Sequence, residues 1–140
     1  MLAGRFRPEL GGQEKYLDII GVNYDDRNRC IHKEDPMKYT DALYRPFREQ
    51  LQEVFDRYGR SLFLAETGAE DDFRPIWFNY ACAEVVAAMK AGVPIEGICL
   101  YPIVNHPGWD DDRHCHNGLW DYCIDIHPGV NARGFLRLTT

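Results

Sequence analysis

A chain of 140 residues, 45% hydrophobic and 13% aromatic, is the size of one domain and has the material for a packed core. Its formal charge of −6, with the basic residues scattered rather than striped, argues against a nucleic-acid backbone as partner. No apolar run approaches the roughly 20 residues that span a bilayer and no signal-peptide core opens the chain, so the expected location is cytoplasmic and no membrane partner is expected.

Residues 1–16 are polar, with Gly11-Gly12 as a loop signal. The β-branched run that follows predicts a strand from about Ile19 to Tyr24. Residues 25–42 hold many charges and Pro36 without any sustained period, which reads as a long loop. From Tyr44 the period changes: Tyr44, Phe47, Leu51, Val54, Phe55 and Tyr58 fall on one helical face. Asp41 is the expected N-cap, Pro46 fits only the first turn, and Gly59 stands where a helix stops.

Leu62-Phe63-Leu64-Ala65-Glu66 then reads as a short strand buried on both faces, as in a parallel sheet, with Glu66 where it meets solvent. A polar loop from Ala69 to Arg74 leads to Pro75 and a second helix. Its apolar side is Trp77, Ala81, Val85, Ala88 and Met89, and it closes near Gly92-Val93-Pro94. A third strand covers Gly97 to Tyr101, and no clear helix follows it before Thr140.

Two consecutive βαβ units predict an α/β fold with a parallel sheet and right-handed crossovers. The loops after strands are long and those after helices short, so the polar surface gathers at the C-terminal ends of the strands. Chemistry commonly sits at that end, which makes Glu66 a candidate catalytic carboxylate. The plainer reading is that Glu66 is the first polar residue of a loop, as most strand-ending glutamates are.

The stretches DIIGVNY at 18–24, YRPFREQLQEVFDRYGR at 44–60, LFLAETG at 62–68 and GICLYPIVNHPGW at 97–109 together resemble the C-terminal part of a (β/α)8-barrel glycosidase. They are most similar to bacterial family 1 glycoside hydrolases of the β-glucosidase type. The resemblance covers about residues 16–122 of what reads as a single domain, 1–140. It implies a partial TIM barrel with about strands six to eight and their helices.

It further implies that Glu66 corresponds to the nucleophile of a retaining mechanism on a β-glycoside, with Asn23 and Trp109 binding the sugar. Tyr24, Asp25, Tyr101, Asn105 and His106 complete the substrate-binding candidates. Trp109 stacks on a sugar face or simply packs over the barrel mouth. Asn105 and His106 bond sugar hydroxyls or, as loop amides and histidines usually do, nearby backbone.

Two departures from the family pattern stand out. A retaining site needs a second carboxyl group about 5–5.5 Å from the first, and the family carries it on strand four, which no segment here resembles. A complete barrel takes about 250 residues. The chain thus reads as a fragment: a truncated product, a piece of a split protein, or a barrel half completed by association. The family's strand-six motif also runs Asn-Tyr-Tyr, whereas the third position here is Asp25. Alternation along a strand puts Asn23 and Asp25 on one side and Tyr24 on the other. Asp25 then either approaches Glu66, where like-charge repulsion works against a nucleophile that must stay ionised, or bends away into the long loop.

Cys30, Cys82, Cys99, Cys115 and Cys123 are odd in number and widely spaced, so they read as reduced thiols. The run Asp110, Asp111, Asp112, His114, Cys115, His116 contains every type of metal ligand, but its spacing matches no closed zinc site. It reads as a solvated acidic loop, with no metal or other cofactor expected.

Two functional readings follow. In the first the chain descends from a glycosidase and its intact form cleaves a β-linked glycoside through Glu66. In the second it is a non-catalytic remnant or carbohydrate-binding fragment, prone to self-association or in need of a missing barrel half, because an incomplete parallel sheet leaves open edges. The second is preferred for the chain in isolation, the first for its ancestry.

Overall fold

The computed structural model describes residues 2–25, 30–32, 35–36, 44–108, 113–122 and 136–138. Asp41 and Trp109, both singled out from the sequence, lie outside the described residues. Two 3-10 turns, Pro8–Leu10 and Glu14–Tyr16, lead into strand β1 (Ile19–Asn23). A small antiparallel pair follows, β2 (Cys30–His32) with β3 (Asp35–Pro36). Helix α1 (Phe47–Tyr58), strand β4 (Ser61–Thr67), helix α2 (Phe73–Lys90) and strand β5 (Ile95–Leu100) form the centre of the chain.

β1, β4 and β5 make one three-stranded sheet in that order, and both pairings are parallel. The two βαβ units expected from the periodicity are therefore present, with β4 in the middle. Both helices contribute to one apolar cluster on one face of the sheet. Ile20 and Tyr24 come from the first strand and its end, Leu62 and Leu64 from the second, and Ile95 from the third. Phe47 and Leu51 of α1 and Trp77, Ala81, Val85 and Ala88 of α2 close over them. Each large side chain taken fully out of water here contributes about 1.5–3 kcal/mol before entropy is counted.

Helix α1 starts later than the sequence pattern suggests. Pro46 is its N-cap with an extended ψ of 145°, and Tyr44 and Arg45 stay outside the helix. The reason is steric: the proline ring disfavours helical geometry in the residue before it. Gly59 ends the helix as expected, in a left-handed conformation at φ 61°, with its N–H donating to Phe55 O. Helix α2 begins two residues before Pro75, which its first turn tolerates because the N–H that proline lacks has no intrahelical partner there. No helix among the described residues is long and apolar enough to cross a membrane.

After β5 the described residues make short antiparallel pieces. β6 (His106–Pro107) pairs with β7 (His114–Cys115), and β8 (Trp120–Tyr122) pairs with β9 (Leu136–Leu138). Asn105 N–H donates to Trp120 O at 2.8 Å, and Trp120 N–H donates to Ile103 O at 3.0 Å. These bonds fold the segment after β5 back on itself, over the C-terminal end of the sheet.

The second face of the sheet carries neither helix. Ile19, Gly21 and Asn23 of β1 are exposed there, and the ring of Phe63 lies where a side chain at Gly97 would stand, 3.1 Å from the Cβ position. Among the described residues, therefore, the two helices cover one face of this parallel sheet, and parallel sheets are usually covered on both.

Candidate functional site

Strict alternation along β4 would place Glu66 on the helix side, with Leu62 and Leu64. The structure does not follow that alternation. Leu62, Leu64 and Thr67 are the fully buried residues of the strand, so one extra residue separates the last two. The register shows the same irregularity from both neighbours. Val22 opposes Leu64 but Asn23 opposes Glu66, while Ile98 opposes Leu64 and Leu100 opposes Thr67. This is a β-bulge, a device that re-aims a side chain at the end of a strand. It turns Glu66 off the core face and onto the side of Asn23, whose Nδ2 donates to Glu66 Oε2 at 3.3 Å.

Both ends of the bulge are held. Tyr24 N–H donates to the Glu66 carbonyl at 2.9 Å, and Tyr101 N–H donates to the Thr67 carbonyl at 2.9 Å. The Trp77 indole N–H donates to Thr67 Oγ1 at 2.9 Å inside the core. Trp77 is thus a packing residue, as its helical position suggested, and its polar edge also fixes the strand end that carries Glu66. Trp77→Phe is expected to lower stability by about 1–3 kcal/mol, because Thr67 Oγ1 loses a buried partner. Urea unfolding measures this, and an unchanged midpoint would mean that the indole bond does not hold the strand end.

The other sequence candidates divide by position. Tyr24 is buried, its ring stacked at 3.8 Å on Phe47 and at 5.4 Å on Trp77. It is a core residue on the face opposite Asn23. Asp25 stands two residues past the end of β1 and is partly exposed. Tyr101 follows β5 directly, is exposed, and lies 6.3 Å from the His106 ring. His106 Nδ1 donates to the Pro107 carbonyl at 2.7 Å. Its Nε2 lies 3.2 Å from Nδ2 of the Asn117 side-chain amide.

Asn105 is 2% exposed and accepts the Gly118 N–H on Oδ1 at 2.7 Å. Its acceptor is therefore engaged with backbone, the second of the two uses read from the sequence. It acts as an internal brace for the segment after β5.

Sequence reasoning missed the ties between the loop after β4 and the segment after β5. Arg113 donates to both Glu70 carboxylate oxygens, at 2.7 and 2.9 Å, in the two-pronged geometry that arginine favours. Asp71 N–H donates to His116 O at 2.9 Å, and the Arg74 guanidinium donates to Gly118 O. The charged residues were visible in the sequence, but their partners stand some forty positions away.

No protein-family model matches the sequence, and no curated protein matches it. Solved structures do match. The β-glycosidase of the hyperthermophile Thermosphaera aggregans has 21% identity and a TM-score of 0.60, over 86% of this chain and 30% of that one. The β-glucosidase of Thermotoga maritima in complex with glucoimidazole has 17% identity and a TM-score of 0.59, over 86% of this chain and 35% of that one. The structure described as the family 1 β-glucosidase of the same organism gives 16% and 0.57 over the same shares. The chain thus spans about a third of the length of these structures and resembles part of a family 1 β-glucosidase in fold, as the sequence motifs suggested.

Proposed function

We propose that the chain carries the nucleophile of a retaining β-glycosidase-type site, with Glu66 as that nucleophile and a carbohydrate as ligand. In this reading β1, β4 and β5 correspond to strands six, seven and eight of a (β/α)8 barrel. The observation that supports it best is the bulge in β4, which takes Glu66 away from the core face and onto the amide of Asn23. A nucleophilic carboxylate must present one oxygen to the anomeric carbon, and a fixed hydrogen bond to the other oxygen orients it. Asn23 supplies that bond. Asp25, Tyr101, His106 and Trp109 are the remaining residues offered to the sugar, and Asn105 braces the loop behind them. The acid/base carboxyl that the mechanism also needs is assigned to a barrel segment outside these three strands.

A glycoside with a strongly activated leaving group departs without a proton donor, so it tests Glu66 alone. A dinitrophenyl 2-deoxy-2-fluoro-β-glucoside is expected to label the chain on the peptide containing Glu66, as read by mass spectrometry. Glu66→Gln should abolish the label. A label that survives the substitution, or that falls on another residue, refutes the assignment.

A second reading, a part-barrel that works only once further strands join it, is favoured by the uncovered sheet face. Ile19 is 47% exposed on that face, and among the described residues β1 and β5 each pair with β4 alone. Edges and faces of this kind attract other strands. Mass measurement in solution decides: an assembly supports this reading, and a stable monomer counts against it.

A further inference from the structure

The segment after β5 brings together three side chains that the glycosidase reading does not use. His114 and His116 flank the buried Cys115 at the end of β7. Side chains alternate along a strand, so both imidazoles stand on the face opposite the thiol. Asp121, the middle residue of β8, comes up against them. His114 Nε2 lies 3.1 Å from Asp121 Oδ1, and the two imidazole rings meet edge to face at 4.8 Å between centroids. One donor atom from each of the three residues lies within 4.8 Å of the other two.

We propose that His114, His116 and Asp121 bind a divalent transition-metal ion of the zinc class, clasping β7 to β8. A tetrahedral ion with bonds of about 2.0–2.2 Å holds its donors about 3.3–3.6 Å apart. The His114–Asp121 pair, at 3.1 Å, stands just inside that spacing, and the widest pair has at most about 1.5 Å to close. The side chain that must move is the exposed His116, where a small rotation meets little resistance. A hydrogen bond between His114 and Asp121 would by itself hold the two strands together. The second imidazole is the feature that such a bond does not require.

Two imidazoles and one carboxylate suit zinc, cobalt or nickel better than calcium or magnesium, which take oxygen ligands. Three protein ligands leave a fourth position for water. The ion would fix the strand pair that also carries Asn105 and His106 through β6 and the Trp120 backbone. This inference stands independently of the assignment of Glu66.

The test uses the full chain without an affinity tag, stripped with EDTA and titrated with zinc and cobalt ions. Calorimetry should give one zinc ion per chain, with a zinc-dependent rise in melting temperature, since an ion that binds only the folded state stabilises it. His116→Ala, an exposed position where circular dichroism should show an unchanged fold, should weaken binding by more than about 100-fold and remove the rise in melting temperature. Asp121→Asn should weaken binding in the same direction. The cobalt form should show visible bands without the intense near-ultraviolet charge transfer of a thiolate ligand. Zinc affinity unchanged in His116→Ala, or a cobalt–thiolate spectrum pointing to the cysteines, would overturn the site.

Discussion

Gly68→Ala is expected to destabilise the chain by about 3 kcal/mol, at the upper end of what overpacking costs. A Cβ built on Gly68 falls 2.0 Å from the Tyr101 carbonyl oxygen and 3.1 Å from its carbon. Both are backbone atoms, so no side chain can rotate out of the way. The Thr67 carbonyl, one residue earlier, is bonded to Tyr101 N–H, and relieving the clash would stretch that bond. Glu66 is two residues from the substitution, so the position of the carboxylate should shift with it. Gly59→Ala is the informative control: it adds a Cβ in open space but at φ 61°, where left-handed strain alone costs about 1–2 kcal/mol. Urea midpoints at constant slope rank the two variants. If Gly68→Ala unfolds at the wild-type midpoint, the close passage of the two strand ends is not real.

That glycine marks the boundary of what the sequence could reveal. The helices and strands were legible because their apolar residues repeat at the spacing of each element: Phe47, Leu51, Val54 and Phe55 for α1, Trp77, Ala81, Val85 and Ala88 for α2. The parallel pairing of the sheet followed from two consecutive βαβ units, whereas its strand order did not. The direction of Glu66 did not follow, because a bulge changes which face a residue occupies without leaving a mark in composition. The strand read from the sequence stopped at Glu66, yet Thr67 continues it and is fully buried under the Trp77 indole. The spacing of His114 and His116 was visible, but Asp121 joins them only through a strand pairing that local pattern does not announce. Tyr24, adjacent to Asn23, shared its motif but not its face. The resemblance grouped residues by motif, and the pleat of the strand then separated them.

Glu84→Ala is expected to cost about 2–3 kcal/mol, and the reason lies in how α1 begins. Its N-cap, Pro46, makes no side-chain capping bond, so the first N–H groups of the helix need an acceptor from elsewhere. Helix α2 supplies it. Glu84 Oε2 accepts the Arg48 N–H at 3.0 Å, and one turn earlier the Tyr80 hydroxyl stands 3.4 Å from the Phe47 N–H. The Glu84 side chain is nearly buried, and its other oxygen accepts from Arg48 Nη1 at 2.6 Å. Alanine there removes the cap, a negative charge favourable to the start of the helix, and the partner of Arg48 together. The ion pair alone is the smaller part, since the Arg48 side chain is about half exposed and keeps its hydration in the variant. Arg48→Ala should therefore cost only about 1 kcal/mol, because its backbone N–H still reaches the carboxylate. Glu84→Gln should fall between the two, keeping an oxygen for the N–H while losing the charge. Thermal or urea unfolding of the three variants gives the order. An Arg48→Ala loss equal to that of Glu84→Ala would transfer the stabilisation from the cap to the ion pair. The two helices would then be joined at their surface rather than by the way one of them starts.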